Sequence, residues 1–369
     1  MMRDYKKNPP KVCIICHGLG SGGIESFVVS LATGLKKKMF DVKLVMALDD
    51  NGISQFREQE IEEAGIEMFR TSDLGSVTRC FKHMVKLYRY LKSNKFDIVH
   101  SNMNMFNGIN LAVAWFAGVT VRVAHAHAVE SERRSGSIAR RVYKTAMHLL
   151  ILFFANKKCA VSLPAAESSY GKNAVKTGKV LVINNGIDIR KFAKVNEKNY
   201  LSKSLITVGR LVAIKNPEFI IQIMSALKEK KYTLIWVGSG ELEEKIHSDI
   251  EKKGLTNSIT MLGARKDIDR LLQTASVFLL PSISEGLSIA TLEAQAAGLP
   301  CVISDTVPQE VDCGLCTFLS LDESPDVWAE KIDSIVTGRT VKKLDADKLQ
   351  KFSVDYMVEQ VIEMYGLPC

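Results

Sequence analysis

The residue types best suited to chemistry are concentrated in the second half of the chain. Residues 281–294 read Pro-Ser-Ile-Ser-Glu-Gly-Leu-Ser-Ile-Ala-Thr-Leu-Glu-Ala and follow an apolar run at 277–280. A loop and then a helix therefore leave the carboxyl end of a strand. Glu285 stands in the loop and Glu293 about two helical turns further on. Two carboxylates so placed accept hydrogen bonds from hydroxyls at opposite ends of one extended ligand, and sugar and ribose hydroxyls are suitable donors. Gly286 lets the backbone come close to such a ligand, and the amides of residues 288–290 open the helix towards negative charge. A second cluster at 209–217 places Arg210 and Lys215 beside another helix start, with Pro217 suited to its first turn. A guanidinium and an ammonium together neutralise a pyrophosphate without a metal. A third loop, Gly263-Ala264-Arg265-Lys266-Asp267, offers its backbone to a base.

The first half contains a competing signal. Gly18, Gly20 and Gly23 satisfy G-x-G-x-x-G after the first strand, and Asp49 and Asp50 close the second. That pattern suits an NAD(P)-dependent oxidoreductase, but it also marks any tight strand-to-helix turn. His125 and His127 alternate with Ala124 and Ala126, so both face one side of a strand. They are either satisfied core histidines or neighbours of a reacting group, and no third metal ligand stands at useful spacing. Cys13 and Cys16, three apart in a strand, face opposite sides and cannot share a ligand. Cys313 and Cys316 have no partner pair, and Asp345-Ala-Asp347 reads as a helix cap rather than a metal motif. No metal is expected.

These groups need elements to position them, and 369 residues exceed one hydrophobic core. Strands are expected at 12–16, 42–47, 97–100, 121–125, 158–161 and 180–183, with helices at 25–38, 53–64, 77–92 and 137–154. A polar, lysine-rich segment through Tyr200 is the expected linker. The pattern restarts with strands at 204–208, 233–237, 258–261, 277–280 and 301–303, and helices at 217–229, 241–253, 268–273 and 289–297. A last helix is expected at 352–365. Strands alternating with helices imply parallel sheets, whose ligands gather at the carboxyl ends of the strands.

Composition excludes several classes. The polar opening MMRDYKKNPP leads one to expect no signal peptide, and the longest apolar stretch, 147–155, is too short to span a bilayer. Eight cysteines set mostly in apolar runs suggest a reduced, cytoplasmic protein. The net charge of +8 comes in small clusters without a nucleic-acid motif, so no nucleic-acid partner is expected. The bases Arg133, Arg134, Arg140, Arg141 and Lys144 form either a solvated helix face or a peripheral contact with anionic lipid.

Taken together, the chain resembles the retaining GT-B glycosyltransferase family 4, especially its bacterial exopolysaccharide and capsule members. The matching pieces are Gly22-Gly23-x-Glu25, Asn185-Gly186-Ile187-Asp188, Gly209-Arg210-x4-Lys215-Asn216 and the E-x7-E pair Glu285/Glu293. The resemblance covers essentially the whole chain. It implies an α/β GT-B fold with two facing Rossmann-like domains and an interdomain cleft. Residues 1–185 would bind acceptor, 186–350 the nucleotide sugar, and 351–369 would form a helix returning to the first domain.

The same resemblance implies roles. Arg210 and Lys215 would bind the donor diphosphate and stabilise the leaving group, Glu293 would hold the ribose, and Glu285 would contact the transferred sugar. Gly22, Gly23, Gly209, Gly263, Arg265, Gly286, Leu287, Ser288 and Ile289 would line the donor. Glu25 and His125 would stand on the acceptor side, with His127 nearest the reacting sugar. The implied donor is a nucleotide sugar, with UDP preferred over GDP and no cofactor required. The implied acceptor is a saccharide or a polyprenyl-diphosphate-linked saccharide at the inner face of the cell membrane. An epimerase of the same fold is a second alternative.

Overall fold

The structure is a computed structural model that describes residues 9–20, 22–49, 51, 53–127, 138–193, 203–338 and 342–366. Asp50, Arg133, Arg134, the side chain of Arg140 and most of the expected linker lie outside the described residues. The chain divides into two compact units, one of Met1–Gly186 with Val354–Cys369 and one of Ile187–Ser353.

The first unit is a parallel sheet between two helical layers. Its strands are β1 (Lys11–Cys16), β2 (Asp41–Met46), β3 (Glu67–Arg70), β4 (Ile98–Ser101), β5 (Val121–Ala126), β6 (Lys157–Ala160) and β7 (Leu181–Val182). They lie in the order β3-β2-β1-β4-β5-β6-β7, which reverses between β1 and β4. Loops leaving β1 and β4 therefore diverge at their carboxyl ends, where such sheets hold ligands. Residues 12–16 are fully buried because the sheet is covered on both faces, so β1 is apolar throughout rather than alternating. The helices are α1 (Gly23–Lys37), α2 (Glu58–Glu63), α3 (Val77–Asn94), α4 (Asn107–Phe116), α5 (Ile138–Phe154), α6 (Leu163–Tyr170) and α7 (Lys172–Lys176).

The second unit repeats the plan. Between α8 (Ile189–Phe192) and α14 (Ala346–Gln350) run β8 (Ser204–Val208), α9 (Pro217–Ala226), β9 (Thr233–Val237), α10 (Glu243–Lys252), β10 (Ile259–Met261) and α11 (Ile268–Thr274). They are followed by β11 (Val277–Leu280), α12 (Ile289–Ala296), β12 (Cys301–Ser304), β13 (Cys316–Leu319) and α13 (Pro325–Val336). The order is β10-β9-β8-β11-β12-β13, again all parallel, with its reversal between β8 and β11. The two most promising sequence clusters leave those two strands.

A final helix, α15 (Val354–Tyr365), belongs to the first unit. Its Met357, Val358, Val361 and Tyr365 join the core under α1.

Several expectations are corrected. The helix expected over 53–64 is confined to Glu58–Glu63. Strands β3 and β13 and helices α4 and α13 were not expected. Cys13 and Cys16 do point into opposite cores, all described cysteines are free, and Asp345 caps α14 by accepting from the Lys348 N–H at 2.9 Å.

Candidate functional site

In the second unit, three loops at the carboxyl ends of adjacent strands are stitched together by backbone. The Gly209 N–H donates to Val237 O at 2.9 Å, the Leu211 N–H to Ser239 O at 3.0 Å and the Gly238 N–H to Gly263 O at 2.8 Å. This contact depends on a glycine that sequence reading passed over. Gly238 has φ +139°, and a Cβ there would lie 1.9 Å from the Gly209 carbonyl oxygen. The only signal for it was its place, one residue beyond an apolar strand.

The loop after β11 leans on the same cluster. Residues 213–215 form a single 3₁₀ turn, and the Ile283 N–H donates to Ile214 O at 2.8 Å. That contact brings the Lys215 ammonium onto the Glu285 carboxylate, where the Ser282 hydroxyl also donates at 2.7 Å. The side chains of Lys215 and Glu285 are 23% and 12% exposed, so the pair is largely withdrawn from water but reachable. Ser304 and Thr306 anchor the loop by donating to Ser282 O at 2.5 and 2.7 Å. These two anchors were also missed by the sequence reading.

α12 begins at Ile289 without a side-chain cap, because the Ser288 hydroxyl is engaged with Thr291 Oγ1 at 2.8 Å. Its first-turn amides and its dipole therefore favour an anion in front of them. Glu293 is half-buried on the same helix and Gly286 is exposed just before it. Arg210 is exposed at the end of β8. Arg265 forms a bidentate pair with Asp267, both contacts at 2.8 Å, so its expected donor contact requires that pair to open.

In the first unit the loop after β1 leads to α1, whose N-cap is Gly22. The Glu25 carboxylate folds back over the loop: a Cβ on Gly22 would lie 2.4 Å from Glu25 Oε2. Asn185 Nδ2 donates to Gly23 O at 3.3 Å, which joins two of the sequence motifs.

The histidines lie on the face of the sheet under α1 and α15. His100 and His125 are fully buried, with His100 Nε2 and His125 Nδ1 sharing a hydrogen bond of 3.0 Å. The Tyr365 hydroxyl meets His100 Nδ1 at 2.9 Å, and Phe27 packs edge-on against His125 at 4.5 Å. His125 was expected on the acceptor side; the structure corrects this, since a side chain sealed beneath Phe27 cannot touch an acceptor. His127 lies just past β5, half-buried, and stacks on His125 at 4.3 Å. Asn102 Oδ1 meets its Nε2 at 2.9 Å, and Asn104 accepts its backbone N–H at 2.8 Å. Both asparagines follow β4 and were missed.

The absence of a third metal ligand also needs correction. Cys159 arrives from β6 in register with His125, and ligand atoms of His100, His125 and Cys159 lie within 4.8 Å of one another. The two imidazoles already bond each other, and burial pushes the Cys159 thiol well up, towards its protonated form. The trio therefore reads as a polar contact inside the core.

Burial pushes His100 and His127 down to about 3, and lowers His83 and His125 as well. Unfolded histidine takes up a proton near pH ~6.5. Below that pH the unfolded chain binds more protons than the native one, so stability falls as pH drops towards about 3. Each such histidine contributes up to about 1.4 kcal/mol per pH unit in this window. Urea denaturation between about pH 7 and pH 5 is expected to show this loss, with a shallower slope in His100→Gln. An unchanged slope in the variant would rule out His100 as a contributor.

Comparison with known proteins agrees with this layout. The family model described as Glycosyltransferase Family 4 matches residues 21–191, and that described as Glycosyl transferases group 1 matches residues 188–351. The Bacillus subtilis (strain 168) protein named "Putative glycosyltransferase EpsF" is 28% identical over 94% of this chain and 93% of its own. The Escherichia coli UDP-Gal:alpha-D-GlcNAc-diphosphoundecaprenol alpha-1,3-galactosyltransferase is 28% identical over 79% and 80%. The solved structure of Anabaena HepE with UDP and glucose superposes with a TM-score of 0.77, at 17% identity over 97% of this chain and 99% of HepE.

Proposed function

Because the chain belongs to glycosyltransferase family 4 and has the GT-B fold, we propose that it moves a sugar from UDP to a hydroxyl of a lipid-linked saccharide in surface polysaccharide synthesis, with retention at the anomeric carbon. The relatives support the donor and the acceptor: HepE was solved with UDP and glucose, and the E. coli relative is named for a diphosphoundecaprenol acceptor.

The observation that carries the reading is the meeting of Lys215, Glu285 and the uncapped start of α12 in one loop cluster. In this reading, departure of UDP builds negative charge on its β-phosphate oxygens. Lys215, Arg210 and the first amides of α12 stabilise that charge, with no metal needed. Glu293 accepts from the ribose hydroxyls, Glu285 from the sugar, and Gly286, Leu287, Ser288 and Ile289 line the donor. Gly209 and the Gly263 loop face the base. The loop of Gly22 and Gly23 belongs with the donor-lining groups, Glu25 serves the acceptor side, His127 stands nearest the reacting sugar, and the reaction takes place at the inner face of the cell membrane.

The oxidoreductase alternative is disfavoured by Glu25. Its carboxylate lies over Gly22 and within 3.9 Å of where a Gly20 Cβ would be, so a pyrophosphate in that loop would meet a like charge. A thermal-shift screen of UDP, GDP, UDP-sugars and NAD(P) tests the reading. UDP at about 100 times its Kd adds about 2.7 kcal/mol of stability, an effect expected to vanish in Glu293→Ala. Stabilisation by NAD(P) alone, unchanged in that variant, would overturn it. Release of UDP only when acceptor is present separates transfer from epimerisation.

A further inference from the structure

Helices α3, α4 and α5 pack on one face of the first unit's sheet through Leu87, Leu111 and Ile151. They carry five, no and three basic residues in turn, and not one acidic residue. The opposite face is covered by α1, α2 and α15, and there α2 alone has four acidic residues and α15 three. Charge is thus sorted between the two sides of one sheet.

The outward surface of the basic side is also apolar. α5 turns Met147 and Ile151 inward, as a surface helix should. Its outward positions Val142, Leu149, Leu152 and Phe153 are nevertheless 63%, 47%, 48% and 80% exposed. Beside them, at the end of α4, Trp115 and Phe116 are 50% and 64% exposed. Both rings gather around Phe154, at 5.6 and 6.4 Å, so the two helices present one continuous surface. Single exposed apolar residues are ordinary, whereas a contiguous cluster of this kind marks a surface that is covered in use.

We propose that the α4–α5 face seats the protein on an anionic lipid surface. Trp115, Phe116 and Phe153 enter the headgroup layer, and Arg141 and Lys144 meet lipid phosphates. Charge selects this occupant. Residues 133–156 include five bases and no acid, and two of them, Arg141 and Lys144, stand on α5 beside its apolar stretch. A second copy docking through the same face would set like charges against each other in either orientation. An anionic bilayer matches both features, since basic residues hold the helix at the headgroups while aromatic side chains enter the acyl boundary. Among the described residues no helix is long and apolar enough to cross a membrane, so the contact is with the surface.

This deepens the membrane-side reading above and rests on it, but the two fail separately. Full-length protein is floated with phosphatidylcholine vesicles and with phosphatidylcholine–phosphatidylglycerol vesicles, at low and high salt. The wild type is expected to float with the anionic vesicles only, and to be released by salt. Phe116→Ser/Phe153→Ser is expected to bind at least about ten-fold more weakly. Arg141→Glu/Lys144→Glu is expected to lose the preference for anionic lipid. All four side chains lie outside the proposed donor and acceptor groups, so melting temperature, UDP stabilisation and transfer to a short water-soluble acceptor should match the wild type. Wild type that ignores anionic vesicles, or an aromatic double variant that floats equally well, overturns the proposal. So does a wild-type dimer that the aromatic double variant dissociates without a change in flotation, which would make the face a self-interface. Loss of soluble-acceptor transfer by the wild type would instead sink the proposed reaction and leave the lipid contact standing.

Discussion

Lys215→Ala is expected to lower kcat/KM for sugar transfer about a thousand-fold, equivalent to about 4 kcal/mol of transition-state stabilisation. Two effects act in the same direction. The leaving diphosphate loses an ammonium held beside it, in a site withdrawn from water where such a charge counts most. Glu285, 12% exposed at its side chain, also loses its ion-pair partner and, among the described residues, keeps the Ser282 hydroxyl. An uncompensated, partly buried carboxylate would then repel the donor phosphates. Glu285→Gln/Lys215→Ala should therefore recover part of the UDP binding that Lys215→Ala loses, though little of the turnover. Steady-state kinetics and UDP titration distinguish these terms. A Lys215→Ala enzyme within three-fold of wild type would show that the diphosphate lies elsewhere.

Much of this site was legible because its chemistry is local in sequence. Residues 209–217 and 281–294 each follow an apolar strand, and each carries its charged groups within one loop and one helical turn. Tertiary contacts were another matter. Nothing in the spacing of Lys215 and Glu285, 70 positions apart, says that they touch; the Ile283-to-Ile214 backbone bond creates that contact. His125 shows the opposite error. Its alternation with alanine places it on a strand face correctly, but whether that face meets a ligand or Phe27 depends on how α1 packs. The spacing along the chain shows no third ligand beside the histidines for the same reason, since the register between β5 and β6 that brings Cys159 to His125 cannot be read from it.

The missed elements have local explanations. α4 reads NGINLAVAWF, with too few polar positions to show a helical period. β3 reads EMFR, a short edge strand with charged ends and no alternation. α13 did announce itself, through Ser324 as N-cap and Pro325 in its first turn.

Gly238→Ala should show that the donor loops stand or fall together, although it alters no side chain near a ligand. At φ +139° an L-residue is strained before any clash is considered. The new methyl would also lie 1.9 Å from the Gly209 carbonyl oxygen, a rigid backbone atom that cannot rotate aside. Relief requires the Gly209–Arg210 backbone to retreat, which stretches the Gly209-to-Val237 and Leu211-to-Ser239 hydrogen bonds and carries Arg210 and Lys215 with it. A loss of about 2–4 kcal/mol in the second unit is expected, together with loss of UDP stabilisation. Gly298→Ala is the matched control. It also has positive φ, at +69°, but nothing lies within 4 Å of its added methyl. Strain alone should cost it roughly 1 kcal/mol and leave UDP binding intact. If the two variants behave alike in thermal denaturation and UDP titration, the close approach of the β8 and β9 loops is not what holds Lys215 in place.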